Sequence, residues 1–156
     1  MKASDIMTGT VVTVRPDTTV STVAGLLLDR RISAVPVVDD HARLVGIVSE
    51  GDLLGRPSRQ SLRGWWLRLF NDEAACLEEL ATARHLTARD VMTHHVISVA
   101  AEAPIDVVAS LMHRHRLKRV PVLDDGKLVG IISRVDLLNA LAGSKEQPAL
   151  YSLGDL

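Results

Sequence analysis

Ser133 and Asp136 stand three residues apart where the aliphatic run Val129-Gly130-Ile131-Ile132 gives way to helix-forming residues. Ser49 and Asp52 stand in the same relation after Val45-Gly46-Ile47-Val48. A serine at a strand end that feeds a helix can donate its hydroxyl to a phosphate, beside the outward-pointing amides and positive dipole end of the helix. A carboxylate one turn into the helix can accept from both hydroxyls of a ribose, as acidic residues do in dinucleotide folds. The glycine three residues before each serine lets another group approach the backbone. Strand, glycine, hydroxyl and carboxylate in this order form a nucleoside-phosphate grip. Ser-x-x-Asp ahead of an apolar run is equally a capping box, with the serine oxygen accepting from a first-turn amide and the carboxylate reaching back. Such a cap contributes about 1 kcal/mol, and Thr87 to Asp90 carries the same spacing with no ligand assigned to it. The two readings stay open on these residues alone.

The elements that must position the serines and aspartates occur twice. Residues 3–54 align with 88–138: Met7 and Met92 are 85 positions apart, as are Pro36 and Pro121, whereas Gly46 and Gly130 are 84 apart, so one residue is missing from the turn between. Each copy opens with a β-branched run, Thr10 to Val14 or His95 to Val99, which predicts a strand. Val20, Val23, Ala24, Leu27 and Leu28 then fall on one helical face, and Ile105, Val108, Ala109 and Met112 repeat the stripe. Two strands follow around Asp39 to Ala42 or around Asp125-Gly126, the second a strong hairpin signal. A last helix starts after Ser49 or Ser133 and ends near Gly55 or Gly143. Each copy therefore reads strand, helix, strand, strand, helix. About fifty residues barely cover one apolar sheet face, so the sequence predicts an α/β (α+β) fold of two β-α-β-β-α repeats packed sheet to sheet about a pseudo-twofold axis. The expected divisions are repeat one over 1–55, a helical linker over 56–86, repeat two over 87–143 and a tail over 144–156.

The chain resembles a tandem CBS-domain, or Bateman, module. The residues that carry the resemblance are Arg31 to Leu54 and His115 to Leu138, headed by "DIMTGTVVTV" and "DVMTHHVISV". The resemblance implies a regulatory module with clefts between repeats that bind AMP, ADP, ATP or another adenosyl compound. It assigns a phosphate-contacting hydroxyl to Ser133 and Ser49 and a ribose-contacting carboxylate to Asp136 and Asp52. It further implies an adenine held near Ile97, Val120 and Pro121 in one site and Val12, Val35 and Pro36 in the other, with His95 at a pocket edge. Family resemblance also implies a homodimer.

Charge separates the two sites. Lys118 and Arg119 of the second copy face Ser33 and Ala34 in the alignment, and Arg134 faces Glu50. Phosphate favours guanidinium forks and no adjacent carboxylate, so the expected nucleotide site is that of Ser133 and Asp136, with Arg119 or Arg134 on the phosphate. The basic run Arg114 to Arg119 is otherwise a solvated helix end whose cations complement the dipole. His94, His95, His113 and His115 lack the spacing of a metal site, and no nucleophile with its base is present, which points away from catalysis.

The bulk composition limits partners. The 156 residues are 47% hydrophobic and 24% charged, with a net charge of −1, which argues against coating nucleic acid. No run approaches a membrane span or a signal peptide, and a lone cysteine excludes an intrachain disulfide; a cytoplasmic protein is expected. The linker stripe Leu62, Trp65, Trp66, Leu69 and Phe70, with arginines among it, suits packing on the module or a second copy, docking a partner, or lying on a membrane surface. With no output domain in the chain, regulation would act through an unknown effector protein. The competing class is a dimerisation scaffold that binds no nucleotide.

Overall fold

A computed structural model describes residues 1–53 and 85–143. The Trp65 and Trp66 stripe and the tail expected over 144–156 lie outside the described residues. The chain forms α1 (Ala3–Ile6), α2 (Val20–Arg30), β1 (Ala34–Val38), β2 (Leu44–Ser49), α3 (Glu50–Leu53), α4 (Ala88–Val91), β3 (Val99–Ala100), α5 (Ile105–Arg114), β4 (Arg119–Asp124), β5 (Lys127–Ser133) and α6 (Arg134–Leu141). It is a mixed α/β fold with two small sheets, one of β1 and β2, the other in the order β3-β4-β5. β3 runs parallel to β4, and β4 antiparallel to β5.

The opening strand of each copy is shorter than its β-branched composition predicts. In the second copy only Val99 and Ala100 pair, with Val122 and Leu123. In the first, Val14 makes a single parallel bridge to Val37, the same register 85 residues earlier. The reason lies in how the chain divides. Residues 1–12, 41–44 and 97–143 cluster as one unit, and residues 13–40, 45–53 and 85–96 as the other. Each β-branched run therefore passes from one unit to the other along its length, and its last residues alone are left to join the sheet of their own repeat.

The head of each copy accordingly packs with the other repeat. Thr8 exchanges backbone hydrogen bonds with Ile131 of β5, N to O 2.9 and 3.1 Å, and Thr93 does so with Ile47 of β2 at 2.9 and 3.1 Å. Ala3 N donates to Ala103 O at 2.8 Å, matched by Ala88 N to Thr18 O at 2.8 Å. Ala3, fully buried, thereby enters the core of Val99, Val108, Met112, Val120, Val122 and Ile132.

The helices follow their stripes with two exceptions, Leu28 of α2 and Ala109 of α5, both exposed. Val23 and Leu27 of α2 and Val108 and Met112 of α5 are buried, but Leu28 is 78% exposed. An arginine in the left-handed region follows each helix, Arg31 directly after α2 at φ 52° and Arg116 two residues after α5 at φ 53°. The next residue closes the turn, with Ile32 N on Leu27 O at 3.1 Å and Leu117 N on Met112 O at 2.9 Å, the six-to-one bond of a Schellman end. The Asp125-Gly126 hairpin forms as its sequence predicts, with φ of 49° and 77°. Ala42, aligned with Gly126, holds the same left-handed conformation at φ 60°.

Candidate functional site

β5 ends at Ser133, which is also the N-cap of α6, and Asp136 is the third residue of that helix. The Asp136 Oδ2 accepts from Ser133 N at 2.6 Å and from Ser133 Oγ at 2.7 Å, while Asp136 N donates to Ser133 Oγ at 3.3 Å. Ser49 and Asp52 repeat this at the β2–α3 turn, at 2.8, 3.0 and 3.3 Å. The capping box is therefore real in both repeats. It is also real at Thr87, whose N and Oγ1 donate to Asp90 Oδ2 at 2.8 and 3.0 Å.

Burial separates the three. Asp52 and Asp136 are 8% and 6% exposed and are the buried charged side chains among the described residues, whereas Asp90 caps its helix at the surface. Burying a carboxylate is costly unless its oxygens are satisfied. A cap does not require that burial, as Asp90 demonstrates. A carboxylate offers about four acceptor positions; among the described residues every hydrogen bond to Asp136 falls on Oδ2. Among the described residues none donates to Oδ1.

The glycines serve a purpose the sequence reading did not find. The group that approaches Gly130 is the Met7 side chain, and the one that approaches Gly46 is Met92. A Cβ on Gly130 would lie 2.8 Å from Met7 Cγ, and one on Gly46 2.8 Å from Met92 Cγ, both closer than real Cβ atoms come. Each head methionine thus lies over the strand that ends in the other repeat's serine. The visible signal was the repeated "IMT" and "VMT" at the heads, whose methionines keep the 85-residue spacing.

The remaining expected residues sort between the two units. Arg119, Val120, Pro121, Ile97, Ser133, Arg134 and Asp136 lie in one; Val35, Pro36, Ser49, Asp52 and His95 lie in the other, with Val12 in the first. Arg119 pairs directly with Ser133 in the β4–β5 ladder, and residues directly opposite present their side chains on the same face. Arg134 is placed differently. It lies about 200° around the helix from Asp136 at 100° per residue, and its Nε donates to Leu117 O at 3.1 Å. Val35 and Val120 are fully buried, the latter inside the apolar core, so what they offer a ligand is main chain. Pro36 and Pro121 are likewise enclosed, Ile97 is half-buried and His95 exposed. Among the described residues no three of His, Cys, Asp and Glu stand together as metal ligands, and no helix is long and apolar enough to cross a membrane.

Two sheets, each ending in a serine that leads into a helix with a buried aspartate, and the chain heads exchanged between repeats, define a paired-repeat α/β module. The chain belongs to the CBS-domain family: the family model for the CBS domain matches residues 3–59 and again 88–143. An uncharacterized protein of Methanocaldococcus jannaschii, MJ1426, is 34% identical over 154 residues, 90% of this chain and 91% of that one. The crystal structure of CBSX2 in complex with AMP, from a chloroplastic protein of Arabidopsis thaliana, matches with TM-score 0.72 and 28% identity over 93% of this chain and 98% of that one. The CBS domain pair of protein MJ0100, crystallised with 5′-methylthioadenosine and S-adenosyl-L-methionine, matches with TM-score 0.66 and 26% identity, covering 93% and 98%. Adenosine-containing ligands thus occur in two relatives of the same fold.

Proposed function

We propose that this chain is a regulatory module without catalysis of its own, binding an adenine nucleotide at the Ser133 and Asp136 turn and passing its occupancy to a partner protein. The observation that carries the reading is the burial of Asp136 with one oxygen committed to the cap and, among the described residues, no donor on the other. A ribose diol donating to Oδ1 would leave the Ser133 N bond to Oδ2 in place, so capping and binding are compatible roles of one carboxylate. Of the first amides of α6, Arg134 N donates to Lys118 O at 3.2 Å and Asp136 N to Ser133 Oγ at 3.3 Å. Val135 N is therefore the one that would face a phosphate. The Ser133 hydroxyl would join it by turning its proton from Asp136 Oδ2 while still accepting from Asp136 N. Arg119, on the Ser133 face of the sheet, is the cation best placed to join them, and its counterpart in the first repeat is Ala34. The Ser49 and Asp52 turn, with Glu50 beside it, would hold a phosphorylated ligand more weakly.

Relatives bearing AMP, 5′-methylthioadenosine or S-adenosylmethionine support the adenosyl part of the proposal. The phosphate part rests on Arg119. A melting-temperature panel with AMP, ADP, ATP, S-adenosylmethionine and 5′-methylthioadenosine tests both. A ligand that binds only the folded chain stabilises it by mass action, by about 2.7 kcal/mol at a hundredfold excess over its dissociation constant, and so raises the midpoint. The phosphorylated ligands are expected to raise it more than methylthioadenosine does. No shift from any of the five would leave a scaffold with two ordinary caps.

A further inference from the structure

Arg134 is turned away from the Asp136 face of α6, and its donors are spent on the chain itself. Its Nε donates to the carbonyl of Leu117 at 3.1 Å, and its main-chain N donates to Lys118 O at 3.2 Å. Arg134 thus holds two successive carbonyls of the segment that joins α5 to β4. The same segment is tied to the helix it leaves, through Leu117 N on Met112 O at 2.9 Å. The residue after Lys118 is Arg119, the first of β4. Bonds on Leu117 and Lys118 therefore set where the Arg119 side chain starts. The Arg134 bond to Lys118 falls one residue beyond the Arg119–Ser133 pair. That is the pattern of a non-hydrogen-bonded pair, in which opposite side chains lie closer.

The first repeat keeps the main-chain half of this arrangement. Glu50 N donates to Ser33 O at 2.9 Å, matching Arg134 N on Lys118 O. An ionised carboxylate only accepts, so Glu50 cannot hold the carbonyl of Ile32 as Arg134 holds that of Leu117. The residue after Ser33 is Ala34, which gives such a tie no cation to aim. The side-chain tie therefore accompanies the repeat whose strand opens on an arginine.

We propose that Arg134 is a positioning residue of the nucleotide site: its Nε bond to Leu117 O fixes the turn into β4, so that Arg119 is held on the Ser133 face for a phosphate. This role rests on the nucleotide reading and adds to it a residue that acts without touching the ligand. What the role needs is the N–H and not the charge. Glutamine carries its amide nitrogen on Cδ, as arginine carries Nε. Arg134→Gln therefore keeps the donor and removes the charge, and Arg134→Ala removes both.

Calorimetric titration of AMP tests it. Arg134→Gln should bind AMP within about twofold of wild type, and Arg134→Ala about fivefold more weakly, in the range of one net hydrogen bond. Because Arg134 acts through Arg119, Arg134→Ala should cost nothing further in a chain that already carries Arg119→Ala. Equal losses in the glutamine and alanine variants would make charge the operative property and overturn the proposal. An additive loss beside Arg119→Ala would overturn it as well, by giving Arg134 a contact of its own. Should Arg134→Ala melt well below wild type, Arg134→Met, which keeps the apolar stem and lacks the donor, takes its place. A wild-type chain that takes up no AMP removes the nucleotide reading and this role with it, whereas full affinity in Arg134→Ala removes the role alone.

Discussion

At the scale of single residues, the same local chemistry serves stability and recognition, and burial distinguishes the uses. Thr87 with Asp90 and Ser133 with Asp136 form nearly identical hydrogen bonds, yet only the second aspartate is enclosed. Spacing in the sequence revealed both caps and could not rank them, because burial depends on what packs over the turn from elsewhere in the chain. The turn residues make a sharper prediction. Ala42 sits at φ 60° where the second repeat has Gly126. A left-handed alanine costs about 1–2 kcal/mol, partly offset because glycine gains freedom in the unfolded chain. Ala42→Gly should therefore stabilise the protein by about 0.5–1 kcal/mol, raising the urea midpoint at unchanged slope.

Among the elements, the covalent repeat and the packed unit differ, and the glycines show why. Periodicity read along the chain identified the helices, the hairpin and the serine turns, since each is set by neighbours a few residues away. The exchange of heads was not legible, because nothing local to "DIMT" states which strand it will join. Gly130 was noticed for the access it gives a ligand; the structure fills that space with Met7. Gly130→Ala should cost about 1–3 kcal/mol as overpacking. It should cost less in a chain that also carries Met7→Ala, which removes the opposing atoms. The double-mutant cycle of unfolding free energies would expose that coupling, and additive costs would mean the methionine yields freely. The short opening strands have the same origin: β-branched composition predicts a strand over each run, but pairing is limited to Val14 in the first and to Val99 and Ala100 in the second, where the chain passes from one unit to the other.

For the whole molecule, the two repeats share a backbone plan and differ in charge, which gives one chain two unlike surfaces. Arg119, aligned with Ala34, lies on the Ser133 face of the sheet, whereas Arg134, aligned with Glu50, lies on another face of the last helix and donates to Leu117 O. The sequence displayed both substitutions side by side and assigned both to the nucleotide; helix geometry divides them. The most direct measurement of the central claim is titration calorimetry of AMP into the wild-type chain, Asp136→Asn and Asp52→Asn. Asparagine retains an acceptor for the Ser133 amide while removing the charge that a ribose diol would meet. The expected result is at least a tenfold loss of affinity in Asp136→Asn and a small change in Asp52→Asn, with both variants melting near wild type. Equal affinities in all three chains, or no heat of binding in the wild type, would contradict the account.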